Sequence, residues 1–499
     1  MTTPQSKLFP PPSRPLSALS PKVWAGSTPE LLRTVQGILQ DNQKKHHVFF
    51  NDKNFHNHIV HHVLALWALG ANGDAIEAAY REDILIQRPA FSSPEPITVA
   101  NFNDHLGDEN FYNAYLTFFC GVVTKNDVGS VLEGFLFSDK ANYGSKNTAG
   151  EHPQMLNRFL SGLIHPFIHV GYGIEFGLPG IVAEGLAQAA VHKPDNTVLI
   201  PPSTFQTKSV GKLTSFIHSM KPSSTTSAGV DAFTILARIM KDPNMKMNAP
   251  DELSIDLFTE TIKKHGEALL RHVNSWNLDT SDPKEVERKI GELQWLNTLI
   301  YAVAGFKDGK DAFNADFFYM HLVTSSLFLP TLVVHLSPRS QEAFLRSYFG
   351  ICLSVYIARG SPMLDIESFF NAKVTGPSTN TGNSLTSSTS PRLQLPPSSP
   401  SLTSSPNPWF PIIEQTILHP DEHLCKLQRS LAHYSSLYGW KPAGLFEGRT
   451  ELPGAQRIDG TLFIRAAELT AVRLGREYER DATGFWDRKG FYSSPRGKL

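Results

Sequence analysis

The chain has 499 residues, of which 41% are hydrophobic and 19% charged, with a formal net charge of -1. A near-neutral balance without a long Lys or Arg run excludes nucleic acid and anionic membrane surfaces as partners, and no segment reaches the roughly 18 apolar residues of a spanning helix. Cys120, Cys352 and Cys425 are too few and too scattered for a disulfide framework or a thiolate metal site, which fits a reducing, cytoplasmic setting.

Residues 1–26 are rich in Pro and Ser, lack an apolar h-region, and are expected to form a disordered leader. Residues 28–46 predict a helix: Ser27 and Thr28 are candidate N-caps, Pro29 lies in the first turn, and Leu31, Leu32, Val35, Ile38 and Leu39 recur at helical spacing. Next comes FHNHIVHHVLALWALGA, residues 55–71, where His56, His58, His61 and His62 give way to an unbroken apolar run. On a helix His58 and His62 would share one face, leaving His56 and His61 off it as helix-entry or outer-layer residues. GANGDAIEAAYRED continues helically, and a Pro-rich loop precedes TVANFNDHLGDENFYNAYLTFFCGVV, where aromatics recur at helical spacing. Asp104 and His105 in this stretch are either catalytic or loop caps.

Residues 155–191 predict two helices separated near Gly177 and Gly180. The first repeats the four-residue spacing with His165 and His169, and Pro166 is expected to remove a backbone hydrogen bond and kink it. Amphipathic patterns continue from 209 to 345, and a third apolar histidine helix carries His321. Residues 374–408 are Ser, Thr, Pro and Asn, which predicts a flexible excursion, and helical text resumes over 409–490. Period-two alternation is not sustained anywhere. The expected fold is all-α, a large single helical domain with a buried histidine-rich site, formed by a core over 27–373 and completed by 409–490.

Uncharged buried imidazoles suit iron, copper or zinc, which makes His58, His62, His165 and His169 candidate metal ligands with His321 as a fifth. The same groups could instead act as bases and hydrogen-bond donors to an aromatic substrate, with no metal. Glu184 is a candidate partner that orients a histidine, or else a helix-packing ion pair. Lys373, if buried at a metal, could be carboxylated and supply an anionic oxygen. No GxGxxG, GxSxG or P-loop spacing occurs, which disfavours a Rossmann-type nucleotide enzyme.

FHNHIVHHVLALWALGA, NFNDHLGDENFYNAYLTFF, LIHPFIHVGYGIEFGLPGIVAEGLAQAAVH and RSYFGICLSVYIARGSPMLDI together resemble the questin oxidase-like proteins, largely fungal and often encoded in polyketide gene clusters. The resemblance implies oxidative cleavage of the central ring of an anthraquinone or related intermediate. It comes either from atypical Baeyer–Villiger oxygenases, with NADPH as electron donor, or from non-haem iron dioxygenases. The histidine pairs match the family's motifs at His58, His62, His165 and His169, whereas the 374–408 stretch departs from its common core.

The expectation is therefore an oxygenase that cleaves an anthraquinone-type fungal polyketide with dioxygen at a histidine-bound Fe(II). Its competitors are a metal-free or NADPH-dependent oxidase of the same substrates and a non-catalytic helical binding protein. His58, His165, Thr298 and Tyr301 are the candidate catalytic residues, and His58, His62, His165, His169, His321 and Lys373 the candidate ligands. Trp295, Thr298 and Tyr301 recur on one predicted helix face and, with Tyr172 and Phe167, are candidate pocket walls.

Overall fold

The computed structural model describes residues 4–12, 20–205, 230–248, 256–307, 313–374, 407–475 and 486–492. Helix dominates, and among the described residues β-structure is limited to isolated bridges. The all-α, single-domain expectation holds.

α1 (Pro29–Lys45) starts where the sequence signals it: Thr28 accepts from the backbone N–H of Leu31, Pro29 stands in the first turn, and Lys44 and Lys45 face the negative end of the helix dipole. Its apolar stripe, Leu31, Val35, Ile38 and Leu39, is buried. α2 (Ile59–Ala68) is buried at every residue, which explains its unbroken apolar text. It packs between α1, α3 (Gly73–Asp83) and α8 (Glu422–Tyr438).

α4 (Ser161–Glu175) and α5 (Pro179–Val191) pack along each other. Glycine allows the close approach, since a Cβ on Gly185 would lie 2.6 Å from Val170 Cγ2. The glycine-rich text here serves helix packing. α6 (Pro283–Gly305) and α7 (Phe317–Ser326) form a second packed pair. α8 touches α2, α7 and α9 (Thr461–Leu474), so residues 407–475 belong to the same core as the first half.

Two expectations need correction. The leader is ordered in its described parts: Phe9 is 1% exposed and packs on Gly180, and Ser20 Oγ lies 2.8 Å from Thr331 Oγ1. One buried aromatic ring outweighs the Pro and Ser bias of its neighbours. Pro166 does not break a helix: Gly162, Leu163 and Ile164 have φ of 56°, 54° and 69°, so the right-handed helix begins only at His165, and Pro166 occupies its first turn. The expected excursion over 374–408 lies, from 375 to 406, outside the described residues.

Candidate metal centre

Four helix starts converge on one buried point. His58 is the N-cap of α2, and His165 follows the left-handed turn of α4. His321 lies in α7, and His423 in the first turn of α8. Asp421 caps α8 by accepting from the backbone N–H groups of His423 and Leu424, which fixes Glu422 and His423 beside it. Ring centroids around the circuit are 5.0 Å for His58 to His165, 4.9 Å for His165 to His321, 5.2 Å for His321 to His423 and 4.6 Å for His423 to His58.

The Nδ1 partners set the tautomers. His165 Nδ1 donates to the Gly162 carbonyl at 2.7 Å, and His321 Nδ1 to the Phe317 carbonyl at 2.7 Å. His58 and His423 both direct Nδ1 at Glu422 Oε1, at 3.2 and 3.1 Å. A neutral imidazole that donates through Nδ1 carries its lone pair on Nε2, so Nε2 is the nitrogen that each ring, when neutral, offers to a ligand. His58 Nε2 and His165 Nε2 are 2.9 Å apart, and nitrogens of His58, His165 and His423 lie within 4.8 Å of one another. Nε2 of His321 and of His423 is buried without a hydrogen-bond partner among the described residues. Two lone pairs facing at 2.9 Å repel unless a proton or a cation lies between or beside them. Imidazole nitrogens ~2.1 Å from one metal ion are about 3 Å apart when they subtend a right angle. The donor set fits a transition metal.

Burial holds three of the rings neutral. It pushes His58 down to about 3, helped by the charge of Lys426, and pushes His165 and His321 well below the usual histidine range. Burial opposes the ionisation of Glu422, but His423 and His58 outweigh it and keep this carboxylate charged. Burial also lowers the Lys426 ammonium to about 8, against the raising effect of Glu422. Lys426 Nζ has no hydrogen-bond partner among the described residues.

The turn before His165 is strained. Left-handed conformation costs roughly 1–2 kcal/mol for a residue bearing a side chain, and Leu163 and Ile164 both adopt it. Fully burying Ile164 and Phe167, at about 1.5–3 kcal/mol each, offsets that cost. Gly162 is required on two grounds: its φ is 56°, and a Cβ would stand 2.4 Å from His192 Cε1.

A second layer surrounds the ring. His56 stacks on His165 with centroids 4.0 Å apart, and its Nε2 lies 2.7 Å from His192 Nε2. His61 Nε2 lies 3.2 Å from His169 Nδ1, and His169 Nε2 is 3.0 Å from Glu184 Oε2. Gln43 donates to the other Glu184 oxygen at 2.9 Å. Tyr172 stacks on His61 at 5.1 Å.

The structure thus brings together His58, His165 and His321, with His169 one layer out, held by Glu184. His62 is not among them: its Nδ1 contacts Asp83 Oδ2 at 2.9 Å. The shared-face argument fails because His58 caps α2 from outside, and it is His61 whose ring meets His58, at 5.5 Å. Lys373 is exposed after the short helix Ile366–Asn371; the buried lysine is Lys426. Thr298 is a core residue whose hydroxyl donates to the Gln294 carbonyl, and Tyr301 OH pairs with Thr470 Oγ1. Trp295 packs on Tyr438, Phe446 and Phe463, and Phe167 on Phe344 and Tyr348, so these are packing positions away from the ring. His105 stacks on Phe111 near the surface, and Asp104 is exposed beside it. Sequence reasoning missed His423, Glu422 and Lys426. DEHLCK, an N-cap followed by acid, histidine and lysine on one helical turn, carried the signal.

The fold and the site define an all-α protein built around a cluster of four imidazoles, three of them buried, with a carboxylate beside it. Residues 55–431 match the family model described as Questin oxidase-like, and the chain belongs to that family. It is 30% identical over 350 residues to a Baeyer–Villiger oxidase of Pestalotiopsis microspora, covering 68% of this chain and 73% of that one. Identity to a Baeyer–Villiger oxidase of Pestalotiopsis fici is 25%, over 88% of this chain and 87% of that one. Identity to the questin oxidase of Aspergillus terreus is 26%, over 67% of this chain and 71% of that one. The chain is an oxidoreductase, which sets aside the non-catalytic alternative. No described helix is long and apolar enough to cross a membrane.

Proposed function

We propose that this oxidoreductase uses dioxygen to cleave a ring C–C bond of a hydroxylated, anthraquinone-type fungal polyketide. Its Fe(II) would be held by His58, His165, His321 and His423. The tautomer pattern supports this most. Metal-bound imidazoles almost always give their other ring N–H to a carbonyl or carboxylate, and each of these four does so. Neutral nitrogen donors favour a transition metal over calcium or magnesium, and iron, when bound, supplies the one-electron chemistry that dioxygen requires. The names of the two Baeyer–Villiger oxidases support the reaction class, insertion of oxygen beside a carbonyl.

The chain's own residues hold the geometry. Glu422 fixes His58 and His423 with one oxygen, so the orientations of these two ligands are coupled. The carbonyls of Gly162 and Phe317 do the same for His165 and His321. The anionic oxygen expected from Lys373 would come instead from Lys426. Its lowered ammonium is in part the free amine near neutrality, and that amine adds to carbon dioxide to give a carbamate and one proton.

Insertion of one oxygen atom consumes two electrons, from NADPH or a reduced substrate, whereas insertion of both consumes none. Iron content and oxygen uptake therefore form the test. About one iron per chain in the wild type, absent in the His58→Ala, His165→Ala double variant together with ring-cleaving oxygen uptake, supports the reading. Full activity in metal-free protein overturns it. Uptake with and without NADPH separates the two stoichiometries.

A further inference from the structure

Behind the metal centre runs a directional hydrogen-bond chain with no ligand role: Gln43, Glu184, His169, His61. Glu184 is 2% exposed and accepts from Gln43 Nε2 at 2.9 Å. Its other oxygen takes the Nε2–H of His169 at 3.0 Å, which leaves the His169 lone pair on Nδ1. That lone pair accepts from His61 Nε2 at 3.2 Å, so His61 must carry its own lone pair on Nδ1. This Nδ1 is buried and has no partner among the described residues, and His61 itself is fully buried. The ring lies flat against Tyr172, 14° from parallel, and 5.5 Å from the His58 ring. A desolvated acceptor next to a reaction centre is unfavourable until something donates to it.

We propose that Glu184, acting through His169, sets His61 as a hydrogen-bond acceptor that reads a free hydroxyl of the aromatic substrate. The inference rests on the function proposed above and adds a substrate requirement. The hydroxyl next to the metal centre must be free, because a methyl ether offers His61 no proton. His61 is the contacting residue, and Glu184 and His169 are positioning residues. The chain also explains why a carboxylate, which only accepts, stands at its far end: an acceptor there forces acceptor character at the near end two imidazoles away.

Glu184→Gln tests this because the amide can donate. Its N–H can turn to His169 Nε2, which moves the proton to Nδ1 in each imidazole and makes His61 Nδ1 a donor. The probes are a hydroxyanthraquinone whose hydroxyl is remote from its carbonyls, and the methyl ether of that hydroxyl, with binding followed by quinone absorbance. The wild type is expected to bind the free hydroxyl roughly tenfold more tightly, about one hydrogen bond's worth of discrimination. In Glu184→Gln the ratio falls to about one or inverts, since an ether oxygen accepts from a donor. His61→Phe, which keeps the stack on Tyr172, loses the preference without inverting it, and it serves if the glutamine variant does not fold. An unchanged preference in a folded variant overturns the inference while leaving the function intact. Wild-type protein that binds neither quinone overturns the function and the inference together.

Discussion

His58 and His165 face each other through Nε2 atoms 2.9 Å apart, and each has already given its Nδ1–H away, one to Glu422 and the other to the Gly162 carbonyl. Neither nitrogen can donate to the other while both rings are neutral. A cation relieves the repulsion. Purified protein should therefore melt at a higher temperature with iron than after chelation, and the difference should vanish in His58→Ala, His165→Ala. Equal melting of the two forms in the wild type would contradict a metal centre here.

Acid should unfold the protein early. Burial lowers His58 and His192 to about 3 and His47 to about 4, against a usual value of about 6.5 in an unfolded chain. Between those limits the unfolded state binds more protons, so stability is full above about pH 6.5 and falls as pH decreases. Each such histidine contributes a slope near 1.4 kcal/mol per pH unit, and the three together on the order of 4. Urea midpoints at pH 7, 6 and 5 measure the slope; a flat profile would rule out neutral burial.

Gly162→Ala places a methyl group against His192 and a side chain in a left-handed position. The expected loss is roughly 2–4 kcal/mol in urea unfolding, with iron content reduced because the carbonyl that orients His165 moves.

Tyr301→Phe removes the hydroxyl contact to Thr470 and nothing at the imidazole ring. It should cost about 1 kcal/mol of stability and leave iron content and turnover unchanged. A large fall in turnover at normal stability would restore Tyr301 as a catalytic residue.

Lys426→Met should weaken iron binding by roughly tenfold or more. Removal of bicarbonate from the buffer should weaken it in the wild type and do nothing further in the variant. A variant that binds iron more tightly would show that Lys426 acts as a repelling ammonium.

Much of this was legible in the residues. Helical periodicity gave α1 its caps and stripe, and the apolar run after His62 announced a helix buried on all sides. His58, His165 and His321 stood out as imidazoles in apolar text, a pattern that burial makes expensive without a purpose. Spacing rules misled at helix ends. The pairing of His58 with His62 presumed one helix containing both, and the kink at Pro166 presumed one beginning before His165. A left-handed turn through Leu163 and Ile164 has no signature in propensity, since only the packing around it makes it stable. His423 and Lys426 were passed over because the imidazoles that His423 joins are remote in the chain, and the polar turn DEHLCK opens a helix that otherwise reads as an ordinary amphipathic one.

The ring also has a consequence in time. Its first member stands three residues into the family match, and its last lies eight before the end. A growing chain emerges from the ribosome in that order, and the early helices can pack long before α8 exists. Until then three imidazoles wait without their fourth and without Glu422. The ring is therefore closed only once α8 has been made, and a chain halted anywhere before it lacks His423 and Glu422 altogether.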